Sequence, residues 1–360
     1  MSEQHEMDWL KLSNIFIWQG GWKGGAETVM FEIAKFLKET HNITPTLGLF
    51  EGNLDSTQPF PQIEVKTIFP KHLVAYNNIA APILSRKQLE PFDLIITHEG
   101  GFWKTKSNHY IYREPGDLFR LFSALPFKSK IGYAIPLLAS LYGLHTADIP
   151  IAASYKAEWF FKKVHVPFLI RSSNFIDTKI IPVATKRSHT NTEPFVLTFI
   201  GRDDKIKNLA WLERACSNLP SSMNVHLHVF GVKKQDTQNI TYHGWVEERT
   251  IWQFLQDQTH AFVLSSLFEA SPLVLLQALA CGIPSLVKTS ALPDELSSFV
   301  LPFNSEKDFI TTLQSLIENY EEHAQKSSTN ATTVRTTYDK QTVLTAEFVA
   351  IGQKILGEHL

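Results

Sequence analysis

A chain of 360 residues is too long for one ordinary core and suits two domains of common size. Its composition, 44% hydrophobic and 19% charged with both signs interspersed, excludes a disordered chain. A formal net charge of -2 excludes a general nucleic-acid binder, which needs a strongly basic balance.

Residues 15–18 form a short apolar run ending at Gly20 and Gly21, and residues 26–37 follow with Val29, Ile33, Phe36 and Leu37 at helical spacing. This predicts strand, glycine loop, helix. Further apolar runs at 45–50, 65–69, 93–97, 110–112 and 149–153 alternate with helical segments such as 159–164, the pattern of a parallel sheet with crossover helices. Residues 181–194 turn to Thr, Ser, Asn, Lys and Pro, the composition of a linker. The pattern then restarts: strand 195–200, helix 209–216, strands 225–230 and 240–242, helix 247–256, strand 261–264, helix 272–281 and strand 284–287. A tail over 340–356 is amphipathic, with Leu344, Phe348, Ile351 and Ile355 on one face.

The fold expected is α/β, with two Rossmann-like doubly wound domains facing a central cleft, 1–184 and 185–339, followed by a C-terminal helix, 340–360. Open α/β sheets bind ligands outside the carboxyl ends of their strands, so the loops there carry the functional argument.

Three such loops stand out. Trp22-Lys-Gly-Gly-Ala-Glu27 leaves backbone open to a ligand at a helix N-terminus, through Gly24 and Gly25, or is simply a tight turn. Gly201-Arg202 with Lys207 follows the first strand of the second domain. A guanidinium and an ammonium there suit a diphosphate, although charged strand-end turns are also common. The stretch from Glu269 to Pro284 combines an acid, Ser271 as N-cap, Pro272 as first helical residue and Gly282 as terminator. Its helix start can hold a phosphate, and Glu269 either contacts a ligand or stabilises the positive helix end.

Taken in order, Gly24-Gly25-Ala26-Glu27, Gly201-Arg202 with Lys207, and the segment 269–284 resemble the GT-B fold retaining glycosyltransferases of the family-4 type. The segments Phe92 to His98, Ala147-Asp148 with Ala153-Ser154, and Tyr242-His-Gly-Trp-Val246 are similar as well. The resemblance implies that Arg202, Lys207 and Glu269 carry the catalysis, the first two on the donor diphosphate and Glu269 on the donor sugar. It places Gly24, Gly25, Gly201, Val246, Ala270, Ser271, Pro272, Leu273 and Gln277 around the nucleotide-sugar, with Gln277 at the ribose and Val246 near the base. His98, Glu99 and Arg113 would lie on the acceptor side, and the tail helix would pack back on the N-terminal domain. Two positions depart from the family pattern. Gln277 stands where the family has a second acid, and Arg113 where related sequences often carry histidine.

The implied activity is transfer of a sugar from a nucleotide-sugar to a glycan or lipid-linked acceptor in cell-surface polysaccharide synthesis, with retention by attack from the face the diphosphate leaves. Neither cofactor nor metal is expected, since no histidine pair has ligand spacing. A catalytically silent nucleotide-sugar-binding scaffold and an epimerase are the competing readings. Residues 101–135 hold six Lys/Arg against two Asp/Glu, interleaved with Phe102, Trp103, Phe119, Phe122, Phe127 and Tyr133. That pattern fits peripheral association with an anionic membrane, or core aromatics with a basic rim. A polar start over 1–11, two cysteines and no long apolar stretch lead to the expectation of a cytoplasmic protein, with room for association at the inner face of the membrane.

Overall fold

Two wholly parallel sheets organise the computed structural model, which describes residues 14–356 other than 21–23, 71–73, 99–100, 107, 115, 126, 169, 185–187 and 190–191. The first contains β1 (Ile15–Gly20), β2 (Thr46–Phe50), β3 (Gln62–Val65), β4 (Leu94–Thr97), β5 (His109–Glu114), β6 (Ile149–Ala152) and β7 (Ile170–Arg171), in the order β3-β2-β1-β4-β5-β6-β7. The second contains β8 (Phe195–Ile200), β9 (Val225–Phe230), β10 (Ile240–Gly244), β11 (Ala261–Leu264), β12 (Ser285–Lys288) and β13 (Leu301–Phe303), in the order β10-β9-β8-β11-β12-β13. Helices cover both faces of such sheets, so β4 and β11 are buried at every position and read as unbroken apolar runs. In each sheet the strand order reverses once, between β1 and β4 and between β8 and β11. The crevice outside the carboxyl ends of strands at such a reversal is where ligands bind in this architecture.

The chain divides into two compact units, residues 1–174 with 340–360, and residues 175–339. Residues 175–184, grouped by composition with the first domain, thus belong to the second. Ile176 and Ile181 are buried in its core, the Ala184 N–H donates to the Cys281 carbonyl at 2.8 Å, and Arg335 donates to the carbonyls of Ile181 and Ala280. The tail helix Lys340–Leu356 lies in the first unit, where Phe348 stacks on Phe36 and Lys340 pairs with Glu32 at 2.8 Å.

One predicted strand is absent. The run at 65–69 leaves the sheet after Val65, because Asn77 Oδ1 accepts from the N–H groups of Ile68 and Phe69 and takes the place of a neighbouring strand. Helices Glu306–Glu318 and Tyr320–Thr337, which complete the second unit, were not expected from the sequence.

Candidate functional site

The loops after β8 and β11 flank the reversal point of the second sheet, and they meet. Lys207 Nζ lies 2.6 Å from Glu269 Oε1, which also accepts from Ser266 Oγ at 2.7 Å. The backbone beneath them is stitched together: the Leu267 N–H donates to the Ile206 carbonyl at 2.7 Å, Ser265 Oγ to the Lys207 carbonyl, and Asn208 Nδ2 to the Ser265 carbonyl. Asn208 holds a left-handed conformation, φ 57°, that turns the loop into the helix Leu209–Ser217. Asp204 Oδ1 accepts from the N–H groups of Ile206 and Lys207 at 3.0 and 2.9 Å, an Asx turn that aims Lys207 at Glu269. Arg202 is held only at 3.6 Å by Asp204, and its side chain is 58% exposed, so its guanidinium is open to an incoming anion.

The carboxyl ends of β8, β9 and β10 approach one another through glycine. Gly231, at φ 89°, donates to the Gly244 carbonyl at 2.7 Å, and a Cβ there would stand 2.5 Å from the Gly201 carbonyl oxygen. Gly244, at φ 67°, donates to the Val232 carbonyl at 3.0 Å and precedes Trp245 and the half-buried Val246. Gly201 was singled out by position. Gly231 was not, although it ends its strand in the same way, and the repetition of strand followed by glycine is the signal that could have found it.

The segment from Glu269 onward differs in detail from expectation. The helix runs Leu273–Ala280, with Pro272 at the cap position and Ser271 one residue too early to be the N-cap. Pro272 offers no side-chain acceptor, so helix-start N–H groups are left for another partner. The helix ends in a Schellman turn, with Ile283 N–H donating to the Ala278 carbonyl, Gly282 N–H to Leu279, and Gly282 at φ 77°. Ala270, Ser271, Leu273 and Gln277 are half-buried along this segment, Gln277 one helical turn beyond Leu273.

In the first unit, Gly24 is the N-cap of the helix Gly25–His41, without a side-chain cap, and follows β1; His98, half-buried, follows β4. Glu99 lies outside the described residues. Arg113 is not a group presented to an acceptor. It is 2% exposed on β5, with Nε 3.1 Å from both carboxylate oxygens of Glu347, Nη1 3.1 Å from Asn174 Oδ1, and Nη2 donating to the Ser173 carbonyl. Ser172 Oγ also donates to Glu347. A guanidinium with five donors and a bidentate acceptor explains its burial here: it fixes the tail helix.

The basic and aromatic stretch is mixed. Trp103 is fully buried, Phe102 and Tyr133 are exposed, and the side chain of Phe127 lies outside the described residues. Exposed apolar side chains run from its last residue, Ile135, onward through Leu138 and Tyr142 along the helix Phe127–Thr146, with Phe102 against Tyr142 at 4.7 Å. Among the described residues no helix is long and apolar enough to cross a membrane.

Two doubly wound parallel sheets with this topology define the GT-B class. Residues 194–319 match the family model described as Glycosyl transferases group 1, which makes the chain a glycosyltransferase in enzyme class. No curated protein matches the chain in sequence. Among solved structures, sucrose-phosphate synthase from Thermosynechococcus elongatus is similar with a TM-score of 0.76 and 13% identity, over 96% of this chain and 100% of that one. HepE from Anabaena, in complex with UDP and glucose, gives 0.69 and 17%, over 94% and 100%. WaaG, a glycosyltransferase involved in lipopolysaccharide biosynthesis, gives 0.69 and 16%, over 94% and 99%. At these identities the likeness is one of fold.

Proposed function

We propose that the protein is a retaining, family-4 type glycosyltransferase that moves a sugar from a nucleotide-sugar to a glycan or lipid-linked acceptor in cell-surface polysaccharide synthesis. The observation that carries the reading is the convergence of Arg202, Lys207, Glu269 and the open helix start at Leu273 at one strand-order reversal. That grouping supplies what a departing diphosphate needs: a fork donor, a point cation and a helix start that its cap residue does not cap with a side chain. The complex of HepE with UDP and glucose supports a nucleotide-sugar donor and makes UDP the first nucleotide to try.

In the proposed reaction the bond from the anomeric carbon to the diphosphate oxygen breaks, the acceptor oxygen bonds to the same face of that carbon, and its proton passes to the leaving phosphate. Arg202 and Lys207 hold the negative charge that grows on the diphosphate, and Glu269 faces the positive charge at the sugar. This distribution asks for no metal. Gly24, Gly25, Gly201, Val246, Ala270, Ser271, Pro272 and Gln277 are assigned to donor contacts, and His98 and Glu99 to the acceptor. The scaffold reading draws on the departures at Gln277 and Arg113, and the second weakens, since Arg113 is committed to Glu347 and its departure from the family pattern has a structural reason. The exposed Ile135, Leu138 and Tyr142, beside a segment rich in Lys and Arg, support a lipid-linked acceptor and peripheral membrane association.

Arg202→Ala and Lys207→Ala are each expected to lower transfer by about tenfold or more, since a charge-assisted contact contributes roughly 1.5 to 3 kcal/mol. Turnover with a panel of nucleotide-sugars checks it, and near-normal rates in either variant refute the assignment.

A further inference from the structure

The loop after β8 carries two acids, Asp203 and Asp204, directly beside Arg202, which is an unfavourable place for carboxylates if a diphosphate binds there. The structure deals with each differently. Asp204 is tied into its own turn by two backbone N–H groups. Asp203 is met from the loop after β9: Lys234 Nζ lies 3.1 Å from Asp203 Oδ2 and 2.9 Å from Glu213 Oε1. Lys234 can reach because Gly231 and Gly244 clasp the end of β9 to β10, through bonds of 2.7 Å from the Gly231 N–H to the Gly244 carbonyl and 3.0 Å from the Gly244 N–H to the Val232 carbonyl. Tyr242 of β10 completes the cluster by donating its hydroxyl to Glu213 Oε1 at 2.6 Å.

We infer that Lys234 is a positioning residue for donor binding: it neutralises Asp203 and holds that carboxylate to the β9 side, so that Asp203 does not add to Asp204, 3.6 Å from Arg202, as a competitor for the incoming diphosphate. The inference rests on the donor reading above and deepens it, placing the determinant of affinity outside the residues that touch the ligand. Asp203 and Lys234 are 50% and 35% exposed, so solvent and salt screen the effect and it is moderate in size.

Binding of UDP, ADP and GDP is measured by calorimetry at low ionic strength for the unmodified protein, Lys234→Met, Asp203→Asn and the double variant. Lys234→Met is expected to weaken binding about three- to tenfold, with the deficit shrinking as salt is added. Asp203→Asn alone tightens binding, and Asp203→Asn combined with Lys234→Met restores it to within about twofold of the unmodified protein. A double variant as weak as Lys234→Met alone overturns the inference, because Lys234 then acts on the ligand or on packing rather than through Asp203. Unchanged binding by Lys234→Met overturns it equally. Should Lys234→Met not fold, the Asp203→Asn arm decides, and weaker binding there overturns it. If the unmodified protein binds none of the three nucleotides, the donor reading itself fails and takes this inference with it.

Discussion

Lys207 and Glu269 stand 62 residues apart in the chain and 2.6 Å apart in space, so the carboxylate has a partner besides any helix end. Their side chains are 21% and 12% exposed, which shields the pair from much of the screening that weakens surface ion pairs. In Glu269→Gln the amide can still accept from Ser266, so the loop keeps its shape while the charge is lost. A group that only stabilised the helix start would show a stability loss of about 1 kcal/mol or less and unaltered turnover. A carboxylate facing the developing positive charge predicts kcat lowered about 10²-fold with nucleotide affinity retained, since Lys207 is then released to the diphosphate; turnover rather than Tm separates the readings, because the Lys207 pair is lost in both. Gly231 gives a sharper structural test. A Cβ at φ 89° and 2.5 Å from the Gly201 carbonyl cannot be accommodated without moving backbone, so Gly231→Ala should displace the Arg202 loop and abolish nucleotide binding, read by calorimetry.

At the scale of elements, β9 and β10 hold a cluster not anticipated from the sequence. His228 Nδ1 and His243 Nε2 share a hydrogen bond of 2.9 Å, His243 stacks on Phe230 at 4.2 Å, and Phe254 packs over both. His243 is the extra residue of the irregularity between Tyr242 and Gly244. Burial, aided by the neighbouring His226 and His243 and opposed by Asp236, pushes the His228 imidazole down to about 4. A histidine held neutral in the folded state and free to protonate at about 6.5 in the unfolded chain contributes stability that is present above pH 6.5 and lost as pH falls toward 4. Tm should therefore drop across that window, and His228→Gln should flatten the drop; an equal slope in the variant would assign the acid sensitivity elsewhere. The strands themselves were legible, because period and apolar runs are local properties. The helix Tyr320–Thr337 was not: it buries little beyond Tyr320, Ala331 and Val334, and its polar sequence gives no amphipathic signal. The site was readable where a glycine or cation follows a strand directly, as at Gly201 and Arg202. Arg113 was unreadable because its partner, Glu347, lies 234 residues away.

For the whole molecule, the two units are linked at residues 174–175 and 339–340, and each side is fastened near those crossings. In the first unit Arg113 binds Ser173, Asn174 and Glu347 together. In the second, Arg335 donates to the carbonyls of Thr178 and Ile181, while Thr178 Oγ1 donates to Asp339. Arg113 and Glu347 are 2% and 3% exposed at their side chains, and leaving one such charge without the other costs about 3 to 5 kcal/mol. This arrangement bears on the order of events during synthesis. The second unit is one continuous stretch and can close as soon as residue 339 has left the ribosome, whereas the first waits, with a buried cation unanswered, until Glu347 emerges. A chain ended after Asp339 is therefore expected to keep the melting transition of residues 175–339 and to lose the cooperative transition of residues 14–174, with rapid proteolysis there, and Glu347→Gln should fall between the two. Nascent chains arrested before residue 340 would then present a finished second unit behind an unfinished first, so that of the two units the one begun earlier is the later to become resistant to proteases.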